Sequence, residues 1–269
     1  MMQTSAVGAA AAGRLESCRV CGAGARHVFT LPVLDRDVDY FECPNCGYLQ
    51  TQRPDWLAQA YARPINDADT GIMMRNRDNL RQVVMTLFAL GQLHGRVLDH
   101  AGGYGILVRL MRDAGIDARW CDKYCENLLA RGFETDGGEY ALLTAFEVFE
   151  HLVDPLAELR TMLETAPTVL LSTELIREPQ TPPSDWWYLG PEHGQHIGFF
   201  RASTLKWMAG TLGCHFASDG QSMHLFSRAT VPAMWPLLLR WRRLSPVIAR
   251  LSLTTKVWSD FESRRSQSR

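Results

Sequence analysis

Four cysteines stand in two pairs, Cys18-Arg-Val-Cys21 and Cys43-Pro-Asn-Cys46, with two residues between the sulfurs of each pair. A C-x2-C turn sets two thiolates on one edge of a tetrahedron. Two such turns supply the four soft ligands that a zinc ion takes at about 2.3 Å. Gly22 and Gly47 follow the second cysteine of each pair, where a residue without Cβ lets the chain turn back and bring backbone N–H groups towards the sulfurs. With cysteine at all four positions, no coordination site is left for a catalytic water, so the expected metal is structural. Between the pairs, His27 to Cys43 reads as the short strands of a ribbon.

A second chemistry stands further along the chain. Val97-Leu98-Asp99-His100-Ala101-Gly102-Gly103-Tyr104-Gly105 passes from a short buried strand into a glycine-rich turn, and Ile106 to Ala114 reads as the following helix. Strand, glycine turn and helix form the nucleotide-binding βα unit. A dinucleotide fingerprint would need glycine at 108, where Val108 stands, and a phosphate-cradling loop would need Gly-Lys-Ser/Thr, which is absent. Ile116 to Asp122 reads as the next strand, ending in an acid whose carboxylate can accept both hydroxyls of a ribose.

The third group lies in the long segment after residue 175. Trp186, Trp187 and Tyr188 offer faces on which a ring or a sugar can stack. Glu192, His193 and His196 form an acid–histidine cluster, and histidine titrates close enough to neutrality to serve as a general base. Long loops at the carboxyl ends of sheet strands are commonly lids, and Gly190, Gly194 and Gly198 are expected to let this one close.

These groups need elements to hold them. Ile72 to Leu90 reads as a helix, Glu139 to Glu147 as a buried strand, and Asp154-Pro155 as an N-cap with proline at the first helical position. Thr168 to Leu175 reads as a further strand, Ser203 as the cap of a helix to Leu212, and His215–Ser218 with Ser222–Arg228 as a closing antiparallel pair. Glu150 and His151 read first as capping and orienting the helix after them, with His151 as the alternative proton partner should His196 not be the base.

The chain of 269 residues has 46% hydrophobic and 21% charged residues, which fits an ordinary globular protein. A net charge of -1 argues against a chain built to coat nucleic acid, and the start lacks the basic region of a secretory signal. No apolar run is long enough to cross a bilayer. The expected compartment is cytoplasmic, because the cysteines read as metal ligands and free thiols. Charge gathers in the last 39 residues, which carry eight basic side chains against Asp260 and Glu262. That stretch reads as a basic amphipathic helical tail that packs on the core or forms a homodimer contact. Weak contact with an anionic membrane surface is the alternative. The expected organisation is a disordered tail at 1–15, a zinc ribbon at 16–60, the main domain at 61–230 and the helical tail at 231–269, with the last seven residues disordered.

Taken together, VLDHAGGYG, the acid at Asp122 and TAFEVFEHLVDP resemble class I S-adenosylmethionine (SAM)-dependent methyltransferases. With the cysteine ribbon in front, the chain resembles the zinc-bearing branch that includes the deoxysugar C-methyltransferases. The resemblance implies an α/β fold with a Rossmann-like seven-stranded sheet, SAM as cofactor and a zinc ion on Cys18, Cys21, Cys43 and Cys46. It implies that Asp99, Ala101, Gly103 and Gly105 line the methionine end of SAM, that Asp122 holds the ribose, and that Ala145, Phe146 and Glu147 edge the methyl-transfer face. In that branch a Tyr-His-Glu-His run precedes an aromatic pair. Here His196 falls on the last histidine, the implied base, and His193 falls on the tyrosine. The implied reaction is methyl transfer to an oxygen or carbon of a small metabolite such as a sugar, nucleotide-sugar or natural-product intermediate. The competing expectation is a zinc-ribbon adaptor on an inactive Rossmann scaffold that binds nucleic acid or protein.

Overall fold

The computed structural model describes residues 15–61, 70–177 and 184–267. The strands are β1 (Leu15–Ser17), β2 (Gly24–Val33), β3 (Arg36–Glu42), β4 (Leu49–Thr51), β5 (Val97–His100), β6 (Ala118–Cys121), β7 (Leu142–Phe146), β8 (Thr168–Ser172), β9 (Gly198–Phe199), β10 (His215–Ser218) and β11 (Met223–Ser227). The helices are α1 (Leu57–Ala60), α2 (Ile72–Ala89), α3 (Ile106–Asp113), α4 (Pro155–Thr165), α5 (Ala202–Leu212), α6 (Trp235–Arg240), α7 (Ser245–Ser252) and α8 (Val257–Gln267).

The main sheet has the order β10-β11-β8-β7-β5-β6; β6, β5, β7 and β8 run parallel, and β11 and β10 add antiparallel. Its central strands are near-continuous apolar runs because helices cover both faces. Period-two alternation sorts their side chains. Leu98, Leu143, Val169, Leu171 and Phe226 meet α4, α5 and the cysteine region, whereas Val97, Leu142, Leu170 and Leu225 meet α2, α3 and the tail helices. The seventh position of the sheet is filled by a single parallel bridge from Trp120 to Glu134. Trp120 N–H donates to Phe133 O and Thr135 N–H donates to Trp120 O, but Gly132 and Gly137, both at positive φ, bracket the segment too closely for a longer strand.

The cysteine region forms a second sheet, β1-β2-β3-β4-β9, whose last strand comes from the long segment after residue 175. Helix α5 begins at Ala202 with Arg201 as its N-cap, two residues earlier than the Ser203 expected. Arg201 takes that place because its guanidinium pairs with Glu42 of β3 (2.6 Å), which fixes the helix entry. The tail is broken into α6, α7 and α8, with prolines opening α6 and α7. It packs inward: Trp235 is fully buried and its Nε1–H donates to Thr86 Oγ1 (3.0 Å), and Arg112 meets Asp260 of α8 (2.7 Å). Helix α8 continues to Gln267, so most of the final segment expected to be disordered is helical. Of the start expected to be disordered, residues 1–14 lie outside the described residues, and Leu15 opens β1. Among the described residues, no helix is long and apolar enough to cross a membrane.

Candidate active site

The two cysteine turns are near copies of each other. Gly22 N–H donates to Cys18 O (2.8 Å) and Gly47 N–H to Cys43 O (2.9 Å), with both glycines left-handed at φ of 74° and 75°. Cys18 Sγ lies 3.6 Å from Cys46 Sγ, and Cys21 Sγ lies 3.5 Å from Cys43 Sγ. A tetrahedron with 2.3 Å metal–sulfur arms has edges of about 3.8 Å, so these spacings suit one zinc ion and are far too long for disulfides. Cys18, Cys43 and Cys46 are buried in the same apolar cluster as Phe149, Phe200 and Leu205. The ribbon is therefore built into the wall of the main domain.

At the carboxyl end of β5, Asp99 is buried and its Oδ1 accepts from Thr144 Oγ1 of β7 (2.7 Å). Burial pushes its carboxyl up to about 7, while the Thr144 bond opposes the shift and the Asp122 charge adds to it. Ala101 then takes the left-handed conformation at φ 56°, followed by Gly103 at 53° and Gly105 at 82°. The turn needs Gly102 for space: a Cβ there would come within 2.9 Å of both Asp99 Oδ2 and Trp120 Cδ1. Asp122 accepts from Gly103 N–H (2.9 Å) with Oδ2 and from Tyr124 and Cys125 N–H (2.7 and 2.9 Å) with Oδ1. It thus ties the end of β6 to the glycine turn and keeps part of its lone-pair capacity for a hydroxyl. A buried acid, a backbone cradle and a second acid fit the methionine and ribose ends of SAM.

Next to this turn, β7 ends in Ala145 and Phe146, and Glu147 is held left-handed at φ 54°. Glu147 N–H donates to Ser172 Oγ (2.9 Å), and that hydroxyl donates to Glu147 Oε1 (2.7 Å), so the strained residue is fixed from β8. A single 3-10 turn, Phe149–His151, follows. His151 Nδ1 bonds to Gln195 O (3.1 Å), and His196 Nδ1 bonds to Tyr188 O (2.6 Å). The two rings lie 4.9 Å apart, and His151 Nε2 is 4.0 Å from Glu150 Oε1. Burial pulls His196 down to about 4 and His151 down to about 3, so both imidazoles are neutral at pH 7. Burial, with the nearby Glu147 charge, holds the Glu150 carboxyl well above the usual carboxylate range.

The structure separates some of the residues grouped from the sequence. Glu192 is exposed, and Glu150 is the acid that meets the histidines. His193 Nδ1 accepts from Gln195 N–H (3.1 Å), which puts its proton on Nε2 and leaves it a donor rather than a base. His196, with Nδ1 engaged, keeps a free Nε2 lone pair. Trp187 is 72% exposed, Trp186 packs on Phe199, and Tyr188 is buried with its ring 4.7 Å from His196. The three aromatics therefore do not share one stacking face. Gly194 and Gly198 serve packing rather than closure. Trp56 Nε1–H donates to Gly194 O (2.8 Å), and a Cβ on Gly198 would overlap the Tyr48 hydroxyl. The pair Glu150-His151 does not cap α4, because Asp154 does so by accepting from Ala157 N–H (3.0 Å). An acid–histidine pair directly after a buried strand was the signal that could have placed it in the site, since open α/β sheets bind ligands at strand carboxyl ends.

A family model described as a methyltransferase domain matches residues 73–218. Nothing among the curated proteins matches the chain. Similar solved structures include magnesium protoporphyrin IX methyltransferase (ChlM) from Synechocystis PCC 6803 with bound SAH, at 17% identity and a TM-score of 0.44, covering 65% of this chain and 94% of that one. An O-methyltransferase family protein from Burkholderia thailandensis is similar at 14% identity and a TM-score of 0.44, covering 65% and 63%. The mitomycin 7-O-methyltransferase MmcR is similar at 14% identity and a TM-score of 0.45, covering 65% and 61%.

Proposed function

This chain belongs to the methyltransferase-domain family, and on that premise we propose that it transfers a methyl group from SAM to an oxygen or carbon of a small metabolite, such as a sugar, nucleotide-sugar or natural-product intermediate. Residues 16–60 act as a zinc-stapled ribbon, 61–230 as the transferase domain and 231–269 as a packed tail, and the cytoplasm is the working compartment. When bound, SAM supplies an electrophilic methyl on a sulfonium that is displaced in line. The chain's residues hold and align. Asp99, Ala101, Gly103 and Gly105 take the methionine end, Asp122 takes the ribose hydroxyls, and Ala145, Phe146 and Glu147 bound the side facing the acceptor. Trp186 and Trp187 bound the acceptor from the lid, with Tyr188 backing His196.

The observation that supports this reading is buried Glu150 beside half-buried His151 and His196, a group that begins within a few residues of the end of β7, whose Thr144 touches Asp99. His196 Nε2 takes the proton as the acceptor's lone pair forms the new bond to the methyl carbon, and the carbon–sulfur pair stays with sulfur. His151 stands beside it, and His193 and Glu192 orient. The test is methyl transfer to a panel of hydroxylated sugars, nucleotide-sugars and phenols, read as S-adenosylhomocysteine (SAH) release. His196→Ala is expected to cut turnover about 10²- to 10³-fold with SAM affinity unchanged. A His196→Ala enzyme with wild-type turnover removes the base from this reading.

A further inference from the structure

Glu150 is fully enclosed, and neither carboxylate oxygen makes a hydrogen bond of good geometry; the Tyr188 and Thr173 hydroxyls beside it relieve its burial only in part. The two hydroxyls also bond to each other (3.2 Å), which leaves one O–H between them for the carboxyl. An ionised carboxylate enclosed in this way costs several kcal/mol, so the group keeps its proton until a counter-charge meets it. What faces it is a pair of imidazoles whose outer nitrogens are already fixed. His151 Nδ1–H donates to Gln195 O and His196 Nδ1–H donates to Tyr188 O, and these bonds leave both Nε2 lone pairs unused. Anchoring one ring nitrogen on a backbone carbonyl so that the other presents a lone pair is how proteins prepare histidine to bind a metal. One donor atom from each of Glu150, His151 and His196 lies within 4.8 Å of the other two. Donors about 2.1 Å from a first-row ion sit roughly 3 to 3.5 Å apart, so small side-chain rotations close the set.

We propose that Glu150, His151 and His196 bind a divalent first-row transition-metal cation, a second metal site distinct from the four cysteines. Two imidazoles and one carboxylate favour zinc, manganese or iron over magnesium or calcium, and three protein ligands leave positions open for an acceptor oxygen. The proposal rests on the reading that the acceptor is methylated beside this pocket, and it changes how the proton leaves. A hydroxyl bound to the cation is a stronger acid. Its O–H bond breaks with the proton passing to water, the freed oxygen pair bonds to the methyl carbon, and the carbon–sulfur bond breaks with its pair kept by sulfur. His196 is then a ligand, and its removal lowers turnover by emptying the site.

The experiment is metal stoichiometry on the full chain, reconstituted with Zn²⁺ and freed of unbound ion, with SAH binding as the check that each variant is folded. Wild type is expected to hold two ions per chain, and Glu150→Gln and His151→Ala to hold one. Co²⁺ separates the sites by colour: thiolate charge-transfer bands report the cysteines, and weaker visible bands lost in Glu150→Gln report the triad. One ion per chain in wild type, unchanged in Glu150→Gln, overturns the cation. If His196→Ala still loses turnover in that case, the free-base reading of the site survives. Two ions with no methyl transfer to any acceptor would keep the cation and remove the proposed reaction.

Discussion

Asp99 shows how one buried acid couples fold and ligand. Its carboxyl is pushed up to about 7 by burial, against an ordinary value of 3.8. Below about pH 4 the folded and unfolded chains are both protonated at this residue. Between pH 4 and 7 the unfolded chain ionises first, so folding stability drains away as pH rises, and above 7 the loss is complete. Thermal melts of the SAM-free protein should therefore fall across that window relative to Asp99→Asn, which should be the more stable protein at pH 7 and the weaker SAM binder. Parallel pH curves for the two proteins would contradict the assignment. Two residues on, Ala101 sits at φ 56°, where an L side chain is crowded by its own backbone. Ala101→Gly relieves that strain and adds unfolded-chain entropy, for a net gain of about 0.5–1 kcal/mol in urea unfolding. Lower stability would mean that the methyl group packs usefully.

At the scale of elements, the ribbon and the segment that carries His196 are one construction. Strand β9 pairs with β4 through Leu49–Phe199 and Gln50–Gly198, Thr51 N–H donates to Ile197 O (3.0 Å), and Ile197 N–H donates to Glu150 O (2.8 Å). The cysteine ribbon thus holds the backbone that carries His196. Cys46→Ser is expected to cost several kcal/mol of stability and to speed amide exchange at residues 197–199, while exchange in β5 and β7 changes little. Unchanged exchange at 197–199 would separate the ribbon from the segment that carries His196. The cysteine turns were legible in the sequence because ligand identity, spacing and the following glycine are all local. Strands β5, β7 and β8 were legible because burial on both faces leaves unbroken apolar runs. The pairing of β9 was not, since Gly198-Phe199 is two residues long and its partner is far away in sequence. Glu150 and His151 were misassigned for the same reason: their meaning comes from His196, which reaches them only through the ribbon. Glu192 and His193 were grouped with His196 by proximity in sequence, which says nothing of the direction each side chain takes along an irregular loop.

Across the whole molecule, function is layered onto a sheet covered on both faces. Helices α4 and α5 with the ribbon close the side that carries the histidines, and α2, α3 and the tail close the other. The concentration of basic charge in the tail finds a structural use in part: Arg242 pairs with Asp78 of α2 (3.2 Å), while the tail's own acid, Asp260, receives Arg112 and Arg109 (2.7 and 2.8 Å). The α/β class and the strand–turn–helix succession at the glycine turn followed from sequence pattern, whereas the breaks in the tail and the single-bridge edge at Glu134 depend on contacts between distant segments. The central claim is that the carboxyl ends of β5 and β6 hold SAM. Calorimetric titration with SAH tests it most directly. Wild type should bind one SAH per chain. Asp122→Ala, which removes a charge-assisted contact of roughly 2–3 kcal/mol, should weaken binding about 30- to 150-fold. Folded protein that binds no SAH, or an Asp122→Ala variant with an unchanged dissociation constant, would contradict it.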